Sequence, residues 1–430
     1  MTTHKRAAAT TWEVHAREQV IDAARDIALK DFQGAGTGPG ASSPAFAALA
    51  RAGSKLWLDT GDLVAASKLW SAELSALTTN NTLVNKVVQK GAMDDELLNA
   101  TRQLRDRVPG LSEDDLVLEL SFVANARVSL GLVQKLGAQV SVELHPSLGH
   151  DIEATLLFAR RYYALCPECF IIKVPLTPDG FLAVRRLGRE GIPVNYTIGF
   201  SARQNYLAAR FSRPRYVNVF LGRLNAVITD NRLGDGINVG EKATLASQRA
   251  VLEARKAEST HPTMQIAASI RSGRQVADLV GVDVLTIPPE AAQEYLELNI
   301  DLDSVRSRVN DDPEVHFADG KSAHEVGAAV LWEVGPQVRE VASALSSAKT
   351  DDWRGADLVQ FAEDHGLRDL FHRWKPEETA EIRTKGKIPE LARWQGNVAL
   401  DELMSMAALQ SFAADQQALD DRLRGLVARA

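Results

Sequence analysis

From about residue 55 to residue 290 the chain repeats one pattern: a short apolar, often β-branched run, a polar turn, then a longer stretch with apolar positions at helical spacing. The runs predict strands at 56–59, 75–79, 140–144, 170–174, 193–198, 216–221, 264–269 and 284–287. Between them the spacing predicts helices, among them 63–70, 115–135, 151–164, 180–189, 202–210 and 240–257. Eight alternating units over roughly 250 residues predict an α/β fold, a (β/α)8 TIM barrel, in which reactive side chains gather at the C-terminal ends of the strands.

The flanks follow other patterns. Val20, Ala24, Ile27 and Ala28 predict a helix over 12–32, with Thr11 as its N-cap. The glycine-rich stretch Gly34 to Pro44 lacks a Gly-Lys-Ser/Thr ending and does not fit G-x-G-x-x-G, so its composition predicts a flexible loop. Beyond residue 350 the chain reads as helices without strands, at 356–374, 377–393 and 398–430. In the last, Leu409, Phe412, Leu419, Leu423 and Leu426 lie near heptad spacing. Such a stripe packs into a core or, as the functional alternative, forms a homo-oligomer seam or a lid over the barrel mouth. Trp353, Trp374 and Trp394 give this segment aromatic weight suited to docking on something large. The division expected is 1–50 for the N-terminal helix and linker, 51–345 for the barrel, and 346–430 for a helical C-terminal extension.

Composition narrows the class of partner. With 430 residues, 45% hydrophobic and 24% charged, the chain has the make-up of a soluble globular protein. A formal net charge of -7 argues against nucleic-acid and anionic-membrane partners, so a phosphate on a ligand has to meet local arginines. Lys5 and Arg6 precede Thr-Thr-Trp-Glu rather than an apolar region, and no run reads as long enough to span a bilayer, so the expected location is cytoplasmic. The only two cysteines, Cys166 and Cys169, have a redox or half-zinc spacing. A structural zinc needs four ligands, and no second Cys or His pair lies nearby in sequence, so a turn is expected here and no metal or other cofactor.

The chemistry starts at Cys169-Phe-Ile-Ile-Lys-Val-Pro175, which sets one lysine at the end of a run that reads as a buried strand. Lys173 either snorkels into solvent or sits at the mouth of an apolar pocket, which pushes an amine towards the neutral form that attacks a carbonyl. Other strands end in polar residues too. Asp59 closes the first strand, Asn80 follows the second, Glu143 and Thr197 lie near the ends of the third and fifth, Arg223 follows the sixth, and Ser269 with Arg271 follows the seventh. Singly, each fits a cap, a turn or a solvated charge. Together, on one face and around a lysine, they predict a Schiff-base site.

The stretches that carry these residues are Trp57-Leu-Asp-Thr-Gly-Asp62, Leu77-Thr-Thr-Asn80, Val140-Ser-Val-Glu-Leu-His-Pro146 with His150-Asp151, Ile171-Ile-Lys-Val-Pro175, Gly191-Ile-Pro-Val-Asn-Tyr-Thr197 with Phe200-Ser201, Phe220-Leu-Gly-Arg223 and Ala267-Ala-Ser-Ile-Arg271. In this order, over about residues 50 to 340, the chain resembles the transaldolase family. The resemblance implies that Lys173 forms a Schiff base with the C2 carbonyl of a ketose phosphate, permitting cleavage between C3 and C4. Asp59 would take the C4 hydroxyl proton and return it when the three-carbon enamine attacks an acceptor aldehyde. Glu143 and Thr197 would hold a water, Asn80 would bind the dihydroxyacetone hydroxyls, and Arg223, Ser269 and Arg271 would clamp the phosphate. The implied partners are small-molecule sugar phosphates, the implied setting the pentose phosphate pathway or a related route, and no cofactor is needed.

Several positions depart from that pattern. Asn81 stands where proline usually follows the asparagine, His145 replaces an acidic residue beside Glu143, and Asn218 sits where a serine commonly contacts the donor. Phe220 keeps the aromatic of true transaldolases, where related aldolases carry a tyrosine, which implies transfer over release. Two alternatives stand beside transaldolase: an aldolase or transferase on an unusual sugar, motivated by those changes, and a non-catalytic barrel that binds sugar phosphates. Asp59, Glu143, Lys173 and Thr197 together speak against the last, because a binder needs no Schiff-base lysine.

Overall fold

Eight parallel strands close into a barrel in chain order: β1 (Lys55–Asp59), β2 (Leu74–Thr78), β3 (Gln139–Glu143), β4 (Phe170–Pro175), β5 (Val194–Thr197), β6 (Tyr216–Phe220), β7 (Met264–Ala268) and β8 (Val284–Ile287), which pairs back with β1. The computed structural model describes residues 12–38, 40–256 and 262–430. Every strand expected from the sequence is present, its ends within one residue of the expectation. Ile171, Ile172 and Val174 show why: each is fully buried, as in a strand covered by the barrel interior on one side and helices on the other.

Register and capping set the C-terminal end of the barrel. Glu143 lies directly opposite Lys173, Pro175 opposite Thr197, and Asp59 opposite Thr78. The loops leaving the strands end in residues whose side chains accept the first free helix N–H groups: Asp62, Asn80, Asp151, Thr177, Ser201 and Ser272. The cap reading of strand-end polar residues therefore holds for Asn80, and for Asp151 and Ser201 of the quoted motifs.

The flanks depart from expectation in several places. The first helix is shorter than 12–32, running Glu18–Leu29. Residues 12–16 form a turn instead, tied down where Trp12 Nε1 donates to Asp151 Oδ2 (2.8 Å) and His15 Nδ1 lies 2.7 Å from Glu119 Oε1. The expected cap Thr11, with Lys5, Arg6, Pro39 of the linker and Ala257, lies outside the described residues. The glycine-rich linker is no free loop. Gly36 N–H donates to Val133 O, and a Cβ on Gly36 would meet Gln134 O at 2.4 Å, so close backbone approach is what requires glycine there. Contrary to the expectation that no run could span a bilayer, the helix Glu113–Leu136 is long and apolar enough, but 78% of its most apolar window is buried within the fold.

In the extension, the helix expected at 356–374 stops at Asp364, where Gly366 turns left-handed (φ 81°). The next, expected at 377–393, ends at Lys385 before Gly386 (φ 85°). The C-terminal helix, Leu400–Val427, forms as expected. Its stripe of Leu409, Phe412, Leu419, Leu423 and Leu426 is buried against the chain itself.

Candidate active site

Lys173 does not snorkel. It is 4% exposed, its Nζ lies 3.6 Å from Glu143 Oε1, and it donates to the Thr79 carbonyl at 3.2 Å. Those contacts tie one amine to β3 and to the end of β2. Glu143 is held in turn by the Asn81 N–H, which donates to Oε2 at 3.1 Å, while Oε1 has no hydrogen bond. Burial raises the Glu143 pKa, opposed by the Lys173 charge and by the Asn81 bond.

Asp59 is half-buried at the end of β1. Its Oδ1 accepts from Thr78 Oγ1 at 2.7 Å, and that hydroxyl lies 2.6 Å from Thr286 Oγ1, so one ordered chain of hydroxyls runs from β8 through β2 to the carboxylate. Burial raises the Asp59 pKa; the Lys173 charge, the Thr78 bond and the Arg271 charge oppose it. Thr197 ends β5 with its Oγ1 buried and without a partner. The next residue, Ile198, is in the left-handed region (φ 59°), a conformation that costs a β-branched residue energy and occurs mainly where function constrains the chain.

On the β6–β7 side the arrangement is cationic. Arg223 sits in the first turn of the helix Leu221–Asp230, buried, with Nη1 lacking any partner. Burial, and then the nearby Arg271 charge, push its pKa down to about 10, which leaves it charged at neutral pH. Arg271 is exposed and donates through Nη2 to Ser269 Oγ at 3.0 Å; Ser269 itself is left-handed (φ 62°). Gly222 lets these arms meet. Its N–H donates to Ser269 O at 3.2 Å, and a Cβ would fall 2.3 Å from that oxygen and 2.8 Å from Arg271 Cγ. Among the described residues no carboxylate makes a direct ion pair with Arg223 or Arg271; the charges of Asp415 and Glu143 act on Arg223 from further off, and two neighbouring guanidiniums without a direct ion pair suit an anion.

Two expected ligand contacts are engaged elsewhere. Asn80 Oδ1 accepts the Leu83 N–H at 2.8 Å as a helix cap. Asn218 is buried, accepting the Gly199 N–H (3.3 Å) and donating to Asn195 Oδ1 (3.4 Å), while Asn195 donates to Ser141 Oγ (3.0 Å). Phe220 stands among aromatic rings, 5.8 Å from Phe200 and 6.1 Å from Phe412 by centroid. Cys166 and Cys169 form the expected turn into β4, where Cys169 and Phe170 N–H groups donate to Cys166 O. Burial pushes the Cys166 thiol up to about 12, far from a reactive thiolate.

The structure thus brings Asp59, Glu143, Lys173, Thr197, Arg223, Ser269 and Arg271 to one end of the barrel. It adds residues the sequence did not single out: Thr78, Thr79, Thr286, Asn81 as a donor, and Phe412. Thr78 and Thr79 lie inside a motif already quoted. In the sequence Phe412 is only one of a stripe that packs into a core or, alternatively, forms a seam or a lid over the mouth.

Residues 56–330 match the family Transaldolase/Fructose-6-phosphate aldolase. A "Probable transaldolase" of Thermus thermophilus is 31% identical over 247 residues, which are 56% of this chain and 91% of that protein. A "Transaldolase" of Xanthomonas oryzae pv. oryzae is 32% identical over 263 residues, 58% and 77% of the two chains. One from Acidobacterium capsulatum is 28% identical over 248 residues, 55% and 71%.

Proposed function

The chain belongs to the transaldolase/fructose-6-phosphate aldolase family, and on that premise we propose that it transfers a dihydroxyacetone unit from a ketose phosphate to an aldose phosphate through a Schiff base on Lys173. Lys173 Nζ adds to the C2 carbonyl and water leaves, giving an iminium. Asp59 takes the proton of the C4 hydroxyl, the C3–C4 bond breaks, and its electrons pass into the iminium to form an enamine as an aldose phosphate departs. The enamine then attacks an acceptor aldehyde, whose oxygen receives the proton from Asp59, and hydrolysis of the new iminium frees the product and the amine.

The observation that carries this reading is the buried 3.6 Å pair of Lys173 and Glu143 on neighbouring strands. The two unpartnered buried oxygens, Glu143 Oε1 and Thr197 Oγ1, suit the water that enters and leaves the carbinolamine. Arg223, Ser269 and Arg271 suit the donor phosphate. Asn80, with Oδ1 taken by its cap, keeps its Nδ2 for a donor hydroxyl. Cytoplasmic sugar-phosphate metabolism, such as the pentose phosphate pathway, is the setting this reading proposes. A second reading, a related transfer or aldol cleavage of an unusual sugar, is favoured by Asn218, which is larger than serine and committed to the barrel network.

Borohydride added with a ketose phosphate tests the reading: it is expected to fix the sugar on Lys173, and Lys173→Ala to abolish trapping. An adduct on another lysine overturns the assignment.

A further inference from the structure

The C-terminal helix lies beyond the matched residues 56–330, yet it is fastened on opposite sides of the catalytic mouth. Near its start, Asp401 accepts from Ser201 Oγ (2.6 Å) and Arg203 Nε (2.7 Å), both after β5, and Ser405 Oγ donates to Ile198 O (3.0 Å). Further along, Asp415 accepts from Thr82 Oγ1 (2.5 Å) after β2, Gln416 Nε2 donates to Ser121 Oγ (3.0 Å), and Asp420 lies 3.2 Å from His145 Nε2 after β3. At 1.5 Å of rise per residue, Asp401 and Asp415 are about 21 Å apart, so the helix crosses the mouth from the β5 side to the β2 side.

Between those fastenings Phe412 turns inward. Its ring centroid is 6.0 Å from Lys173 Nζ, 5.3 Å from Arg223 Cζ and 6.1 Å from the Phe220 ring, and the residue is 6% exposed. One phenyl ring therefore borders both the amine and the anion site, the two groups that a bound ketose phosphate has to reach.

We infer that Phe412 is a specificity-determining residue: it roofs the reaction cavity and keeps bulk water from the nucleophilic enamine carbon, leaving only the water held at C2 by Glu143 and Thr197, so that the three-carbon unit goes to an acceptor instead of being released. The inference rests on the transfer reading above. The enamine on Lys173 has two exits. In one, its carbon forms a bond to the acceptor carbonyl carbon, and the carbonyl oxygen takes the Asp59 proton. In the other, its carbon takes a proton from water, leaving hydroxide; addition of that hydroxide to the iminium carbon, with loss of the amine, frees dihydroxyacetone. The second exit needs water at the carbon, and an apolar ring over the amine excludes it. The ring face also suits a cationic iminium, as it does the lysine now beneath it.

The test compares full-length wild type, Phe412→Leu and Phe412→Ala, each with a ketose phosphate, measuring free dihydroxyacetone without acceptor against transfer with an aldose phosphate. Borohydride trapping on Lys173 runs in parallel. Phe412→Ala is expected to raise the release-to-transfer ratio by roughly tenfold or more, and Phe412→Leu to raise it by a smaller factor. A trapped adduct with an unchanged ratio in both variants overturns the inference. If Phe412→Ala does not fold, an unchanged ratio in Phe412→Leu overturns it alone. No adduct in wild type overturns the transfer reading instead, and the two failures are told apart by that control.

Discussion

The backbone N–H of Asn81 donates to Glu143 Oε2 at 3.1 Å, and the Asn81 side chain donates to Leu144 O, also at 3.1 Å. The transaldolase resemblance leads one to expect proline here, and proline has no N–H to give. The departure is therefore compensated locally. What the turn loses in fixed φ it regains in two bonds across to β3, one of them to the carboxylate that pairs with Lys173.

Asn81→Pro should reveal that role. It removes a donor to a charged acceptor, a bond typically worth about 1.5–3 kcal/mol, and so raises the Glu143 pKa further above its ordinary value. The rate is expected to fall by roughly 10- to 100-fold, with the acid limb of the kcat profile moved to higher pH. Asn81→Ala keeps the N–H and should leave that limb in place. Matching pH profiles for the two variants would mean that the backbone bond is irrelevant to Glu143.

The arginines make a separate claim. Arg223 has a buried Nη1 without a partner, and Arg271 is steered by Ser269. Replacing either with alanine should lower kcat/KM on phosphorylated sugars far more than on unphosphorylated analogues, by about 1.5–3 kcal/mol for each lost charge-assisted bond. An equal loss on both substrates would assign the arginines to structure.

The barrel was legible because strands buried on both faces leave unbroken apolar runs such as Phe170 to Ile172, and because Asp59, Lys173 and Thr197 stand at or near their ends. The long insertion after β2 was harder to read. Its helix Asp94–Arg107 is mostly polar and buries only Leu97, Ala100, Thr101 and Leu104. Asn80 illustrates a different limit, since one amide type serves a cap or a ligand and only geometry shows the cap. For Phe412, heptad spacing offered a core, a seam or a lid over the mouth and could not choose among them. A long-range placement over Lys173, 239 positions earlier in the chain, leaves no local pattern.

Glu402 predicts a pH dependence of stability. It is buried in the C-terminal helix, with Oε1 accepting from Trp374 Nε1 (2.7 Å) and the His372 N–H (3.3 Å), and burial raises its pKa to about 7. A carboxyl raised in the folded state stabilises fully below its unfolded pKa, near 4.3, and that contribution is lost as pH rises through about 7. The full loss is on the order of 4 kcal/mol at 1.36 kcal/mol per unit. Glu402→Gln keeps an acceptor for both donors and does not ionise, so its urea midpoint should fall less between pH 5 and pH 8 than that of wild type. Equal falls would place the titration elsewhere.

Phe220 is where the transfer reading and the aldolase reading make opposite predictions. Its ring lies among Phe200 and Phe412 with Arg223 Cζ 5.9 Å away, and a phenyl carries no hydroxyl to offer an enamine on Lys173. A phenol there could donate a proton or order a water that does so, and a phenyl can do neither. Wild type with the ketose phosphate it accepts is expected to release free dihydroxyacetone much more slowly than it transfers the unit to an added aldose phosphate. Phe220→Tyr should raise the release rate while Lys173 still forms the trapped adduct. The position also sits beneath the roof residue, so Phe220→Tyr and Phe412→Ala act on the same carbon, one by supplying a proton donor and the other by admitting water. Their effects on the release rate should therefore combine less than additively in free energy, as neighbouring sites do. Release by wild type without acceptor as fast as transfer with it would give the chain to the aldolase reading.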